Sequence, residues 1–340
     1  MKPLARLGGF KILKDVVRLS LVSPKQGGDL PAKLCRLIAK QEINLPYINC
    51  INDGQSWRLN IVAGSGNGRR ISDLIEKNFG KISTHNSKSA ILSIFPHKRN
   101  PEITGSLFEV LSQEGVEPDA LANSPSAISA VLEEESISKA SDSLFAAFKF
   151  SAYRTPADWK LAQKGKEQLY REVVASYQEK RPKVYGLEYQ EGQKFFHITL
   201  NRRHIGQFGA TLKEFARLGL HLTFLATGPC GEKGKGKLVI CLPASKNHAY
   251  TDIISEIDPE DVVDSPSPVA TFSVNGPHFG DRYGIASELL NALRENHIDL
   301  LALNCTIASI IGVAPSNQTE QVIQAIQGCF DVPSITKKED

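Results

Sequence analysis

One pattern is written twice in this chain, and it constrains the fold more than any compositional figure. Ala90-Ile-Leu-Ser-Ile-Phe-Pro96-His97 leads through Asn100-Pro101-Glu102-Ile103 into the apolar stretch 104–111. Ala270-Thr-Phe-Ser-Val-Asn-Gly-Pro277-His278 leads through Arg282-Tyr283-Gly284-Ile285 into 286–293. Pro277 follows Pro96, and Asn304 follows Asn123, by the same 181 residues. A constant spacing of this kind marks duplication of one supersecondary unit.

A fainter pair keeps the same order. Val16-Val-Arg-Leu-Ser-Leu21, Gly27-Gly28 and the apolar run 30–38 match Phe195-Phe-His-Ile-Thr-Leu200, Gly206 and 208–216. Four modules emerge, each reading strand, loop, helix, strand, strand, helix. Runs rich in Val, Ile, Phe and Thr alternate with stretches of i, i+3, i+4, i+7 apolar spacing, which predicts α+β architecture. In the last module Ile285, Leu289, Leu290 and Leu293 line one helix face, 300–304 and 309–314 form a hairpin, and Val322, Ile323 and Ile326 mark a final helix. Breakers set the boundaries: Asn86-Ser-Lys-Ser89, and Asp264-Ser265-Pro266-Ser267-Pro268, whose prolines stop a helix and start a strand. Between the halves, Thr155-Pro156-Ala157-Asp158 starts a linker helix extending to about residue 178. The expected division is 9–86, 87–154, a helical linker at 155–183, 184–263 and 264–334.

Composition matters mainly for what it excludes. With 41% hydrophobic and 23% charged residues in 340, the chain is neither disordered nor fibrous. A net charge of +3 is too small to suggest a nucleic-acid partner. No apolar stretch approaches membrane length, and residues 1–10 lack a signal-peptide core, so a soluble cytoplasmic protein is expected. The six cysteines have no CxxC spacing and the eight histidines no HExxH pair, so neither a metal nor a cofactor is expected.

Catalytic motifs are equally scarce. Gly228-Pro-Cys-Gly231-Glu-Lys-Gly234-Lys235-Gly236-Lys237 looks like a phosphate cradle, but Gly follows the Lys, and the repeat places it in a hairpin turn. Gly64-Ser-Gly66-Asn-Gly68 precedes a helix but fails the dinucleotide fingerprint. No Gly-x-Ser-x-Gly and no Cys–His pairing is present, so no catalytic residue is expected.

The modules resemble the ACT family of small regulatory domains, in particular the tandem pair at the C-terminal end of aspartate kinases. The likeness rests on a strand ending in a polar loop, on Pro or Gly before an aliphatic residue at the helix start (Asn100-Pro101-Glu102-Ile103, Tyr283-Gly284-Ile285), and on the strands around Asn123-Ser124 and Asn304-Cys305. The resemblance implies ferredoxin-like βαββαβ modules pairing side by side into extended antiparallel sheets, in a homo-oligomer. It also implies an amino-acid effector held where a strand–helix loop meets a neighbouring module. The ligand-binding residues it points to are Lys98, Arg99, Asn100, Pro101, Glu102, Ile103, Asn123 and Ser124, and Gly280, Asp281, Arg282, Tyr283, Gly284, Ile285, Asn304 and Cys305. A helix N-terminus suits a carboxylate because its N–H groups are unpaired and its dipole is positive there. Asp281 or Glu102 would meet the ammonium. The third module adds Arg202, Arg203 and His204.

Plainer readings stand beside these. Lys98, Arg99, Arg202 and Arg203 read as solvated loop residues, Asn123 and Asn304 as hairpin turns, and His97 and His278 as relics of shared ancestry. Asp29-Leu30-Pro31 and the Pro-free loop of the third module depart from the family pattern, which argues against ligands there. Only fifteen residues precede Val16, so kinase activity is not expected. The chain is therefore expected to be a non-catalytic regulatory amino-acid-binding protein. The alternatives are a ligand-free dimerisation module, a detached regulatory subunit partnering an aspartate-kinase-type biosynthetic enzyme, and an enzyme using the 228–237 turn.

Overall fold

Strands and helices form where the two periodicities place them. The computed structural model describes residues 4–24, 29–80, 82, 84–163, 181–201, 205–230, 234–255, 262–264, 268–276, 279, 282–307 and 309–339. The first stretch holds β1 (Ala5–Leu7), β2 (Gly9–Pro24), α1 (Leu30–Ala39), β3 (Tyr47–Asn52), β4 (Ser56–Gly64) and α2 (Gly68–Phe79). The second holds β5 (Thr84–Phe95), α3 (Pro101–Gln113), β6 (Ala120–Asn123), β7 (Ile128–Glu133), α4 (Ile137–Ala147) and β8 (Phe148–Phe150). Next comes α5 (Pro156–Gln163), where Thr155 accepts from the Asp158 N–H at 3.2 Å and Asp158 accepts from the Thr155 N–H at 3.0 Å. The rest of the expected linker helix lies outside the described residues.

The third stretch holds β9 (Gly186–Asn201), α6 (Ile205–Arg217), β10 (Phe224–Pro229), β11 (Lys235–Pro243), α7 (Thr251–Ser255) and β12 (Val262–Asp264). The fourth holds β13 (Val269–Asn275), α8 (Ile285–Glu295), β14 (Ala302–Cys305), β15 (Ser309–Pro315), α9 (Thr319–Cys329) and β16 (Ile335–Lys337). β10 and β11 pair antiparallel, so 228–229 and 235–237 of the glycine- and lysine-rich segment lie on paired strands, and residues 231–233 lie outside the described residues.

Apart from the short β1–β8 pair, the strands join one 14-stranded mixed sheet in the order β11-β10-β6-β7-β5-β2-β4-β3-β14-β15-β13-β9-β12. The long β9 closes the circuit: 186–193 pairs with β13 and 193–201 with β11. This corrects the expectation of purely antiparallel sheets, because β16 runs parallel to β9. Direction explains it. β15 is antiparallel to β13 and β13 to β9, so a helical crossover through α9 delivers β16 in the direction of β9. No helix among the described residues is long and apolar enough to cross a membrane.

Helices cover two faces of the sheet circuit. α1, α2, α8 and α9 pack Leu34, Ile38, Ile71, Leu289 and Ile326 onto β2–β4 and β13–β15, while α3, α4 and α6 pack Leu107, Phe108, Leu144 and Phe215 onto the strands of the other half. Two further clusters consist of strand residues alone, among them Phe195, Phe224 and Val313 in one and Val16, Tyr47 and Val131 in the other. They fill the space where the halves of the circuit face each other.

That inner seam also holds fully buried asparagines. β6 and β10 share a single ladder pair, Ala122 with Ala226, which leaves neighbouring backbone groups to be satisfied from elsewhere. Asn49 donates to the Thr227 carbonyl at 2.7 Å, and Asn60 donates to the same oxygen at 3.1 Å and to Asn49 Oδ1 at 3.1 Å. Asn304 donates to the Leu225 carbonyl at 2.9 Å. Asn123 accepts from the Leu225 N–H at 2.6 Å and donates to the Leu222 carbonyl at 3.2 Å. Beside them the buried Arg18 guanidinium pairs with Asp119 at 3.0 Å.

The junction between β5 and α3 is closed by its own side chains. His97 is fully buried; its Nδ1 lies 3.1 Å from the Ser124 carbonyl, which can only accept, so Nδ1 carries the proton and Nε2 accepts from the Thr104 hydroxyl at 2.8 Å. Burial holds the imidazole pKa down at about 4, with the Arg99 charge acting in the same direction.

Two predictions follow from this packing. Asn49→Ala removes the acceptor of the Asn60 N–H and one donor of the Thr227 carbonyl. It is expected to lower unfolding free energy by about 1–3 kcal/mol in urea titrations, against less than about 0.5 for the exposed Asn78→Ala. Because His97 folds with a pKa below its unfolded value near 6.5, the unfolded chain binds more protons between the two values. Its contribution is complete above pH 6.5 and is lost as pH falls toward 4, at up to about 1.4 kcal/mol per pH unit. Urea midpoints measured from pH 7 to pH 5 should fall, and fall less steeply in His97→Gln.

Candidate functional site

Two helix pairs bring distant parts of the chain together, and they differ in how tightly they close. α3 lies against α6, and a Cβ on Gly105 would run into the Gly209 carbonyl while one on Gly209 would meet the Gly105 carbonyl. The backbones touch, leaving no space along the crossing. α1 lies antiparallel to α8 with larger residues between them, and each end of that pair has a cleft.

The residues 98–103 sit at the close-packed pair. Lys98 and Arg99 both take left-handed backbone angles, with φ of 53° and 55°, a conformation that non-glycine residues adopt only when their surroundings hold them there. The Lys98 N–H donates to the Pro125 carbonyl, and the Arg99 carbonyl accepts from the Leu222 N–H at 3.0 Å. The Arg99 guanidinium reaches β9, bonding Glu188 and Gln190 at 3.1 Å each. Asn100 caps α3 by accepting from the Glu102 N–H at 2.9 Å, with Pro101 in the first turn and Ile103 buried. Ser124 bonds back to Ala127, and the amide groups of Asn123 and Asn304 are engaged in the seam. Arg99, Asn100, Asn123, Ser124 and Asn304 thus each have partners within the protein.

Arg282, Gly284, Ile285 and Cys305 line the cleft at the N-terminus of α8, together with Cys35, Ile38, Ala39 and Ile43, and Tyr283 is not part of that lining. Gly284 precedes the helix at φ 90°, which a glycine tolerates, and no side chain caps the free N–H groups. Among the described residues the buried Arg282 Nε has no hydrogen-bond partner, and its Nη2 lies 3.4 Å from Glu288, whose carboxyl burial pushes up in pKa against the pull of Arg282. Tyr283 stands 3.5 Å from Glu42. The space left is about 10 Å³, enough for a single water. Gly280 and Asp281 lie outside the described residues, as do Arg202, Arg203 and His204.

The roomy cleft is at the opposite end, where the N-terminus of α1 meets the C-terminus of α8. It encloses about 420 Å³ between Asp29, Pro31, Asn52, Trp57, Arg294 and His297, with Asp299 at its edge. Both charge signs are present: Arg294 lies 3.9 Å from Asp29, and Asp299 is fixed by Gln318, which donates to it at 3.0 Å. Asp29 makes no side-chain cap on α1, and Ala32 of its first turn lines the same cleft. The geometry fits a small zwitterion, with Arg294 and helix amides for a carboxylate and an aspartate for an ammonium. Asp29-Leu30-Pro31, with Gly27-Gly28 shifted upstream, departs from the ACT pattern, and that departure argues against a ligand at this loop. The overlooked signal was Arg294-Glu-Asn-His297, a basic helix end facing an acidic helix start.

No protein-family model matches the sequence, and no curated protein matches it. Its fold is similar over 98% of its length to the crystal structure of aspartate kinase from Synechocystis, with a TM-score of 0.77 and 16% identity. The chain spans 57% of that enzyme's length. Smaller parts of the chain, 42% and 44%, align at TM-scores of 0.38 and 0.37 with regulatory subunits of aspartate kinase from Thermus thermophilus, at 19% identity, and Thermus flavus, at 13%. The chain thus has an aspartate-kinase-like fold, a mixed α/β architecture around one large sheet. The expectation of a purely regulatory protein apart from any enzyme is corrected by this likeness: a solved structure that shares the fold along nearly the whole chain is an aspartate kinase. The expectation had rested on missing nucleotide motifs and on the few residues before Val16, neither of which bears on the fold of the rest.

Proposed function

We propose that this chain works as an aspartate-kinase-like protein in the ATP-dependent phosphorylation of aspartate, and that a small amino acid bound in the Asp29–Arg294 cleft adjusts that reaction. The observation that carries the reading is the fold shared over 98% of the chain with the Synechocystis enzyme. The two-signed cleft between α1 and α8 supports the effector. On this reading the four strand–helix–strand–strand–helix–strand stretches are ACT modules, bounded at 9–86, 87–154, 184–263 and 264–334. The first and fourth pair to form the open clefts, and the second and third pair tightly as a brace. The clefts at Asp29 and at Arg282 would take effectors unequally, the first being open and the second nearly filled.

A bound amino acid favours whichever arrangement of α1 and α8 it contacts better, by the difference in its affinity for the two. At one hundred times its Kd it should stabilise the folded chain by about 2.7 kcal/mol. Melting temperatures with each of the twenty amino acids should therefore rise for one or a few of them, and Arg294→Ala should raise the concentration needed about tenfold. In extracts of cells producing the chain, the same amino acid should change the rate of aspartate-dependent ADP formation, and Arg294→Ala should blunt the response. Equal melting temperatures throughout would sink the effector. An ADP-forming rate that ignores the presence of the chain would sink the link to the kinase reaction.

A further inference from the structure

The Asp29–Arg294 cleft has two kinds of wall, and exposure separates them. Its charged residues stand at the mouth: the side chains of Asp29 and Arg294 are 42% and 28% exposed, and His297 and Asp299 are exposed as well. Its apolar residues form the floor. Trp57, Leu290, Leu293, Ile298 and Leu300 are each at most 8% exposed, and all belong to the core that packs α1 and α8 onto the sheet. Asn52, a polar residue of the same wall, turns its amide oxygen to the Gly54 N–H at 3.0 Å.

The enclosed space, about 420 Å³, is far more than an α-ammonium and an α-carboxylate fill, so an amino acid seated at the mouth sends its side chain toward the floor. There the side chain meets carbon. A hydrocarbon side chain gains by leaving water, whereas an ammonium, carboxylate or amide gives up its hydration and finds no partner among those floor side chains. We infer that the cleft selects amino acids with a large hydrocarbon side chain over those with a charged or amide side chain. The inference rests on the effector role proposed above for this cleft and adds the class of effector. The 3.9 Å Asp29–Arg294 pair opens to admit the ligand, whose ammonium takes Asp29 and whose carboxylate takes Arg294. The mouth thus requires both charges of an amino acid, and the floor ranks side chains by the carbon they bury. Aspartate, the substrate of the proposed kinase reaction, is turned away by the same floor, so effector and substrate do not compete for the cleft.

Tryptophan emission gives a readout confined to this cleft. The chain has two tryptophans, Trp57 in the cleft and Trp159 stacked on Phe10, so Trp159→Phe leaves Trp57 as the sole emitter. Titration with alanine, 2-aminobutyrate, norvaline and norleucine should shift Trp57 emission saturably, each added methylene tightening binding about threefold. Lysine, which is norleucine carrying a terminal ammonium, should bind at least tenfold more weakly than norleucine, and so should aspartate. Hexanoate and pentylamine, which keep the carbon chain but lack one of the two head charges, should also bind at least tenfold more weakly. Leu301→Asn, at a partly exposed position of the wall, should weaken norleucine and narrow its advantage over lysine. Melting curves of the unaltered chain read the same series, so a folding defect in either variant does not end the test. Lysine binding as tightly as norleucine, or affinity that stays flat along the series, would overturn this inference and leave the effector reading standing. Melting shifts without a change in Trp57 emission would place the amino acid elsewhere and overturn the inference for this cleft. No response to any amino acid would overturn the effector reading itself, and the inference with it.

Discussion

The fold depends on hydrogen bonds made by four asparagines in a seam that excludes water. β6 and β10 approach edge to edge but share one ladder pair, and their remaining backbone groups would be stranded without Asn49, Asn60, Asn123 and Asn304. An unpaired peptide group in such a place costs more than a formed bond gains, so the seam acts through the penalty for leaving it. Apolar side chains would fill the space but would tolerate sliding of one half over the other. Amides aimed at particular carbonyls do not, and they fix the relative position of strands far apart in sequence.

Once the seam sets that position, the two helix pairs differ only in what lies between them. Gly105 and Gly209 let α3 and α6 touch along their backbones, and the ends of that pair are sealed by Arg99, Asn100 and His97. α1 and α8 keep side chains between them and leave charged residues facing a cleft. Duplicated units thus come to differ in capacity: one pair is a rigid joint and the other has room for a ligand.

Much of this arrangement was legible in the chain. The apolar faces of residues 285–293 and 319–329 marked helices that form over Ile285–Glu295 and Thr319–Cys329, and Thr155 marked a helix start. What could not be read was which units would face each other. Asn123 and Asn304 recur because both lie in the seam, and no local pattern separates an amide meant for a ligand from one meant for a distant carbonyl. Lys98 and Arg99 look solvated in sequence, yet Arg99 reaches a strand about ninety residues away. The open cleft combines Asp29 with Arg294, a pairing visible only once α1 and α8 lie antiparallel. The parallel β16 and the closed circuit are likewise products of tertiary topology.

The continuity of β9 has a mechanical consequence. A single strand serves β13 with its first half and β11 with its second, changing allegiance at Gln193 beside Gly192, whose φ of 68° lets the chain bend there. Gln193 is itself tethered, accepting from the Thr223 hydroxyl at 3.0 Å. Because one continuous backbone serves both ladders, the register of β11 against β9 and that of β13 against β9 share a common reference at residue 193, and neither ladder can slip by a residue without breaking the other's pairing.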